Sequence, residues 1–165
     1  MNYTKLLLSV LFLWGFAACN KNRNEKSTFY IDGKQYETRK FEAYIKSGVA
    51  ELVYNDKLDG VDMQVAFGFY LSYFPNTGQF LIKRDKLTGF AATGLILDHK
   101  IYLASSHSTS TVLATEEDGL GKYVIEPTWL RIQVPDPADS SKLIEGNDSI
   151  RFWGTIYEAK DKSMR

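Results

Sequence analysis

One cysteine, two histidines and no surplus of either charge bound this chain before any pattern is read. A single thiol excludes an internal disulfide framework and any metal site built from several cysteines. Basic and acidic side chains number 20 each, so the chain lacks the basic stripe that tracks phosphates, and a nucleic-acid partner is not expected. Long apolar runs are equally scarce. No stretch reaches the 18 apolar residues of a spanning helix. What is present is a globular balance, 44% hydrophobic and 24% charged over 165 residues, which suits one domain of ordinary size. Ten tyrosines and ten phenylalanines raise the aromatic share to 14%, a composition that favours strands over helical bundles.

The longest apolar stretch stands at the start. Residues 6–16 (LLLSVLFLWGF) follow a mildly basic opening, and at about 1.5 Å per helical residue they are too short for a hydrocarbon core of about 30 Å. They fit the apolar region of a secretory signal peptide, with small residues next in line. Phe16-Ala17-Ala18-Cys19 resembles a bacterial lipobox, with Phe16 standing where leucine is usual. The resemblance implies cleavage after residue 18 and diacylation of Cys19, a palmitate-type lipid anchor to the membrane. The sequence thus divides into a lipoprotein signal peptide at 1–18, an acylated cysteine and polar tether at 19–26, and a domain at 27–165. Asn20 follows the cysteine, and the tether has no acidic cluster. By resemblance to envelope lipoproteins, this favours the periplasmic face of the outer membrane.

From residue 28 onward the pattern has period two. Segments 28–32 and 34–39 flank Asp32-Gly33, a hairpin turn signal. Further strand patterns cover 49–54, 61–74, 79–83, 94–98, 100–105, 110–115, 120–127, 129–134 and 149–159, with polar loops between them. Only 41–46 and 138–144 have compositions that suit a short helix. The expected fold is all-β: an antiparallel β-sandwich or β-barrel of about ten short strands. The opening Phe29-Tyr30-Ile31-Asp32-Gly33-Lys34-Gln35-Tyr36 and the closing stretch from Asp148 to Ile156 resemble the two ends of small Bacteroidetes outer-membrane lipoproteins of unknown function. That resemblance implies fold and compartment and carries no activity.

Candidate chemistry is thin. His99 and His107, eight residues apart, read as loop histidines rather than zinc ligands, and the hydroxyls around His107 form no nucleophile elbow. Asn55, Asp56, Asp59 and Asp62 suggest a calcium loop, but Lys57 and Ala66 stand where an EF-hand needs acids. Glu116-Glu117-Asp118 reads as an exposed turn. No catalytic residue, metal site or cofactor is assigned. The aromatics remain: Tyr123, Trp129 and Trp153, with Tyr70, Tyr73 and Tyr157, as core or as a ligand platform. Phe152 and Trp153 are neighbours, so on a strand they face opposite ways. The expected function is a lipid-anchored, non-catalytic binding or accessory protein of the cell envelope, with a small ligand or an envelope protein as partner. The alternative is an immunity or inhibitor lipoprotein that blocks a periplasmic enzyme, and a periplasmic hydrolase ranks third.

Overall fold

The computed structural model describes residues 25–46, 49–58, 60–69, 77–84, 90–117 and 120–158. Residues 1–24, to which the expected signal peptide, Cys19 and most of the expected tether belong, lie outside the described residues, as do Asp59, Tyr70 and Tyr73. Eleven strands and no helix occupy the described residues: β1 (Ser27–Ile31), β2 (Lys34–Thr38), β3 (Glu42–Lys46), β4 (Val49–Leu58), β5 (Val61–Phe69), β6 (Gly78–Ile82), β7 (Phe90–Leu97), β8 (Lys100–Ala104), β9 (Thr111–Glu117), β10 (Leu120–Asp136) and β11 (Asp139–Tyr157). The fold is all-β.

A single sheet runs in the order β2-β1-β11-β10-β9-β6-β7-β5-β4-β3, and β8 bridges β10 and β7. The path β10-β9-β6-β7-β8 therefore closes a ring. Two three-stranded arms leave it, β11-β1-β2 from β10 and β5-β4-β3 from β7. The arms fold over one another like the layers of a sandwich. Phe29 on β1 meets Tyr54 on β4 edge-on at 5.9 Å between ring centroids, and Tyr123 on β10 meets Phe67 on β5 at 5.2 Å. Phe41, Leu52, Phe69, Leu130, Phe152 and Ile156 fill the space between. Each such side chain contributes about 1.5–3 kcal/mol by leaving water.

Several expectations about the strands change. Pairing is antiparallel except between β6 and β7, which run parallel over two residue pairs, Leu81 with Phe90 and Ile82 with Ala91. Residues 41–46 and 138–144 contribute to β3 and β11 rather than to helices. In β11 the reason is pairing: Leu143, Ile144 and Glu145 lie opposite Pro135, Val134 and Gln133, so the cross-strand ladder overrides a weak local preference. Strand β4 runs on to Leu58, so residues 55–58 of the expected polar loop are strand. Two of the strands are not short, since β10 has 17 residues and β11 has 19.

The first hairpin is as expected. Asp32 and Gly33 both have positive φ, 47° and 84°, as a two-residue turn that matches strand twist requires. The turn is clasped to β11, because the Arg151 amide donates to Asp32 Oδ1 at 2.7 Å and the Asp32 amide donates to the Arg151 carbonyl at 2.9 Å. Asp98 and His99 make a second such turn, with φ of 50° and 61°.

Two buried phenols set a pH limit on this fold. Tyr54 donates to Asp56, and Tyr102 donates to Asp148 Oδ2 at 2.9 Å. Burial first, and the carboxylate second, pushes both phenols up to about 12. A raised phenol means that the folded chain holds the proton more tightly than the unfolded chain does. Stability from this source is complete below the ordinary tyrosine pKa of about 10 and is lost as pH rises toward about 12. Denaturation midpoints taken between pH 9 and 12 are expected to fall with pH, and less steeply in Tyr54→Phe. Equal slopes for the two proteins would contradict this account.

Candidate functional site

The site begins at an irregularity in β10. Pro127 has no amide hydrogen to give to a ladder, and here the pairing with β11 slips from Ile125 opposite Gly154 to Thr128 opposite Phe152. On the other edge β10 changes partner. β9 pairs with it up to Ile125, and β8 pairs with it from Leu130 onward. Residues 126–129 thus have no strand on that edge, and the 105–110 loop that joins β8 to β9 fills the gap. Ser110 Oγ donates to the Pro127 carbonyl at 2.9 Å, and the Thr111 amide donates to a Glu126 carboxylate oxygen at 2.8 Å. The other end of the loop is tied to β11, because Ser105 Oγ and the Ser106 amide both donate to Glu145, at 3.0 and 3.1 Å.

The bulge also decides which face each side chain takes. Before it, Tyr123 and Ile125 point into the core; after it, Thr128 and Leu130 do. An extra residue shifts the period-two alternation by one, so Trp129 and Arg131 stand on the outer face. There Trp129 lies opposite Arg151 and Arg131 opposite Ser149. With the 105–110 loop they line an open cavity of about 430 Å³, bordered by Ser105, His107, Ser108, Thr109, Ser110, Trp129, Arg131 and Ser149.

A row of aromatic and cationic groups continues from the cavity across the outer face. The Arg151 guanidinium sits 6.0 Å from the Trp129 ring and 5.3 Å from the Trp153 ring, within the range of cation–π attraction. Trp153 stacks on Tyr30 of β1 at 5.0 Å with planes 7° apart, and the Tyr30 hydroxyl donates to Gln35 on β2 at 3.1 Å. Trp129, Arg151, Trp153 and Tyr30 therefore form one ladder over three strands. Trp129 ends it with 56% of its surface exposed.

Of the three aromatics singled out in the sequence, two meet on this face. Trp129 borders the cavity and Trp153 lies one arginine further along. Tyr123 is fully buried in the core, against Phe67 and Phe69, on the other side of the sheet. Tyr157 lies near Lys122, whose ammonium is 5.6 Å from the ring. Phe152 and Trp153 take opposite faces, Phe152 inward and Trp153 in the ladder. His107 borders the cavity, with Nδ1 3.2 Å from Ser106 Oγ, and His99 lies in its hairpin turn. Asn55 and Asp56 are neighbours on β4 and so face opposite sides. Asn55 accepts from Gln64, and Lys57 pairs with Asp62 at 3.7 Å. Glu116 and Glu117 belong to β9, where Glu117 pairs with Lys122 at 2.9 Å. Among the described residues no three His, Cys, Asp or Glu gather to hold a metal.

The residue missed in the sequence is Arg131. Its signal was the spacing Trp129-Leu130-Arg131, which puts an arginine beside an indole on one strand face. The chain matches no family model, no curated protein and no solved structure.

Proposed function

We propose that this chain is a lipid-anchored, non-catalytic binding module of a bacterial cell envelope, held through Cys19 and presenting its ligand surface on the outer face of β10 and β11. Trp129 carries the reading. With more than half its surface in water, it forgoes part of the burial energy that is about 1.5–3 kcal/mol for a fully buried large apolar side chain. It stands at the mouth of a cavity of about 430 Å³, inside the roughly 300–1,000 Å³ typical of small-molecule sites. Tryptophan, tyrosine and arginine are also the residues that dominate binding surfaces. The lipobox-like Phe16-Ala17-Ala18-Cys19 supplies the anchor, and the polar tether spaces the surface from the membrane. The resemblance of the signal and tether supports the periplasmic face of the outer membrane as its position.

The test uses the full chain released from native membranes. Native mass spectrometry is expected to show a retained mass that Trp129→Ala loses, while the unfolding free energy of that variant falls by no more than about 1 kcal/mol, the size of the exposed cation–π contact with Arg151. A photo-cross-linker at Ser149 tests for a protein occupant of the same face. If neither experiment captures anything, the binding-module reading is wrong.

A further inference from the structure

The lining of the cavity beneath the 105–110 loop defines its ligand more narrowly. Arg131 is a partly buried residue, and among the described residues its guanidinium has no carboxylate or carbonyl partner. Glu145 is engaged by Ser105 and the Ser106 amide, Glu126 by the Thr111 amide, and Asp148 by Tyr102. None of these carboxylates forms an ion pair with Arg131, although acidic and basic residues balance over the whole chain. A guanidinium without a partner in the protein presents a planar fork suited to a carboxylate or sulfate.

The remaining lining is rich in hydroxyls. Ser105, Ser108 and Ser110 use theirs to hold the loop: Ser105 on Glu145, Ser108 on the Ser110 amide and Ser110 on the Pro127 carbonyl. Thr109 and Ser149 have hydroxyls with no partner among the described residues. Trp129 supplies an exposed flat wall. An anion receptor, two available hydroxyls and an indole face match a pyranose ring, whose C–H face packs on an aromatic and whose hydroxyls exchange hydrogen bonds with serine and threonine.

We infer that this cavity binds an acidic sugar, with a carboxylate or sulfate on Arg131, the ring against Trp129 and ring hydroxyls on Thr109 and Ser149. The inference rests on the binding-module reading and deepens it. Arg151, 6.0 Å from the Trp129 ring, extends the same chemistry outward, so a neighbouring acidic unit of a longer chain would meet a second guanidinium. A nucleoside monophosphate shares the anion and the flat ring but offers fewer hydroxyls to this lining.

The experiment is calorimetric titration of the full chain in a detergent without a sugar headgroup. The probes are an oligogalacturonate, a sulfated oligosaccharide, a neutral oligosaccharide of equal length and a nucleoside monophosphate. Acidic sugars are expected to bind at least tenfold more tightly than the neutral one. Arg131→Gln should abolish that preference, Arg131→Lys should restore part of it, and Trp129→Ala should weaken all sugars alike. Binding of only the uronate or only the sulfated sugar supports the inference and identifies the anion. Equal binding of neutral and acidic sugars, or an unchanged preference in Arg131→Gln, overturns the anion assignment and leaves the binding surface standing. A nucleotide that binds where acidic sugars do not overturns the sugar. If no probe binds while the Trp129-dependent native mass persists, the inference fails and the module reading survives.

Discussion

Gly154→Val is expected to bring the domain close to unfolding at ordinary temperature. Gly154 lies on β11 where β1 crosses closest, with a positive φ of 149°. A Cβ there would sit 2.4 Å from the Thr28 carbonyl oxygen and 2.5 Å from Phe29 Cα. These are backbone atoms, so no side-chain rotation relieves the clash. Backbone strain at such a φ costs about 1–3 kcal/mol, and overpacking adds about 1–3 kcal/mol. The combined loss is a large part of the roughly 5–15 kcal/mol that holds a domain folded. Phe29 amplifies the effect, because its ring contacts Tyr36, Phe41, Tyr54 and Phe152, and moving β1 disturbs all four. Chemical denaturation followed by circular dichroism measures the loss. A midpoint within error of the parent would refute the close approach of β1 and β11, and Gly154→Ala should fall between the two.

Cys19→Ser is expected to abolish lipid attachment, leaving a soluble or an unprocessed protein, and to keep the β domain intact. Each buried methylene contributes about 0.8 kcal/mol, so one chain binds marginally, whereas two or more hold a protein firmly. Removing the thiol removes every chain attached through it. Cells fed a labelled fatty acid should mark the parent and not the variant. The variant should run either in the aqueous phase on phase separation or as a precursor that still carries residues 1–18, with an unchanged β-type circular dichroism spectrum. Acyl labelling that survives the substitution would dispose of Cys19 as the anchor point.

The fold was legible in the sequence wherever local chemistry settled the question. Asp32-Gly33 predicted its turn because few other pairs adopt two positive φ values cheaply, and the alternation around Trp153 predicted opposite faces for it and Phe152. The ring closure was not legible, since the pairing of β8 with both β10 and β7 depends on contacts far apart in sequence. The candidate site was half legible for one reason. Tyr123 and Trp129 are six residues apart, an even spacing that places both on one face of a regular strand. The bulge at Glu126 and Pro127 changes that parity, so one became core and the other surface. Pro127 marked the position, but whether a proline ends a strand or bends it is decided by the partner strand. Arg131 was overlooked because its meaning comes from what the surrounding acids are bonded to.

The clasp between the two ends of the domain has a consequence for its birth. The Ser27 hydroxyl accepts from the Tyr157 amide at 2.8 Å across 130 residues of sequence, and Thr28 to Ile31 pair with Phe152 to Thr155. The first strand made must therefore wait for the last. At a synthesis rate of about 5–20 residues per second, Phe29 and its neighbours remain without their final partner for on the order of ten seconds. A chain that cannot complete itself early stays threadable, and Phe29 and Ile31 of β1 stay without their core partners until the last strand emerges.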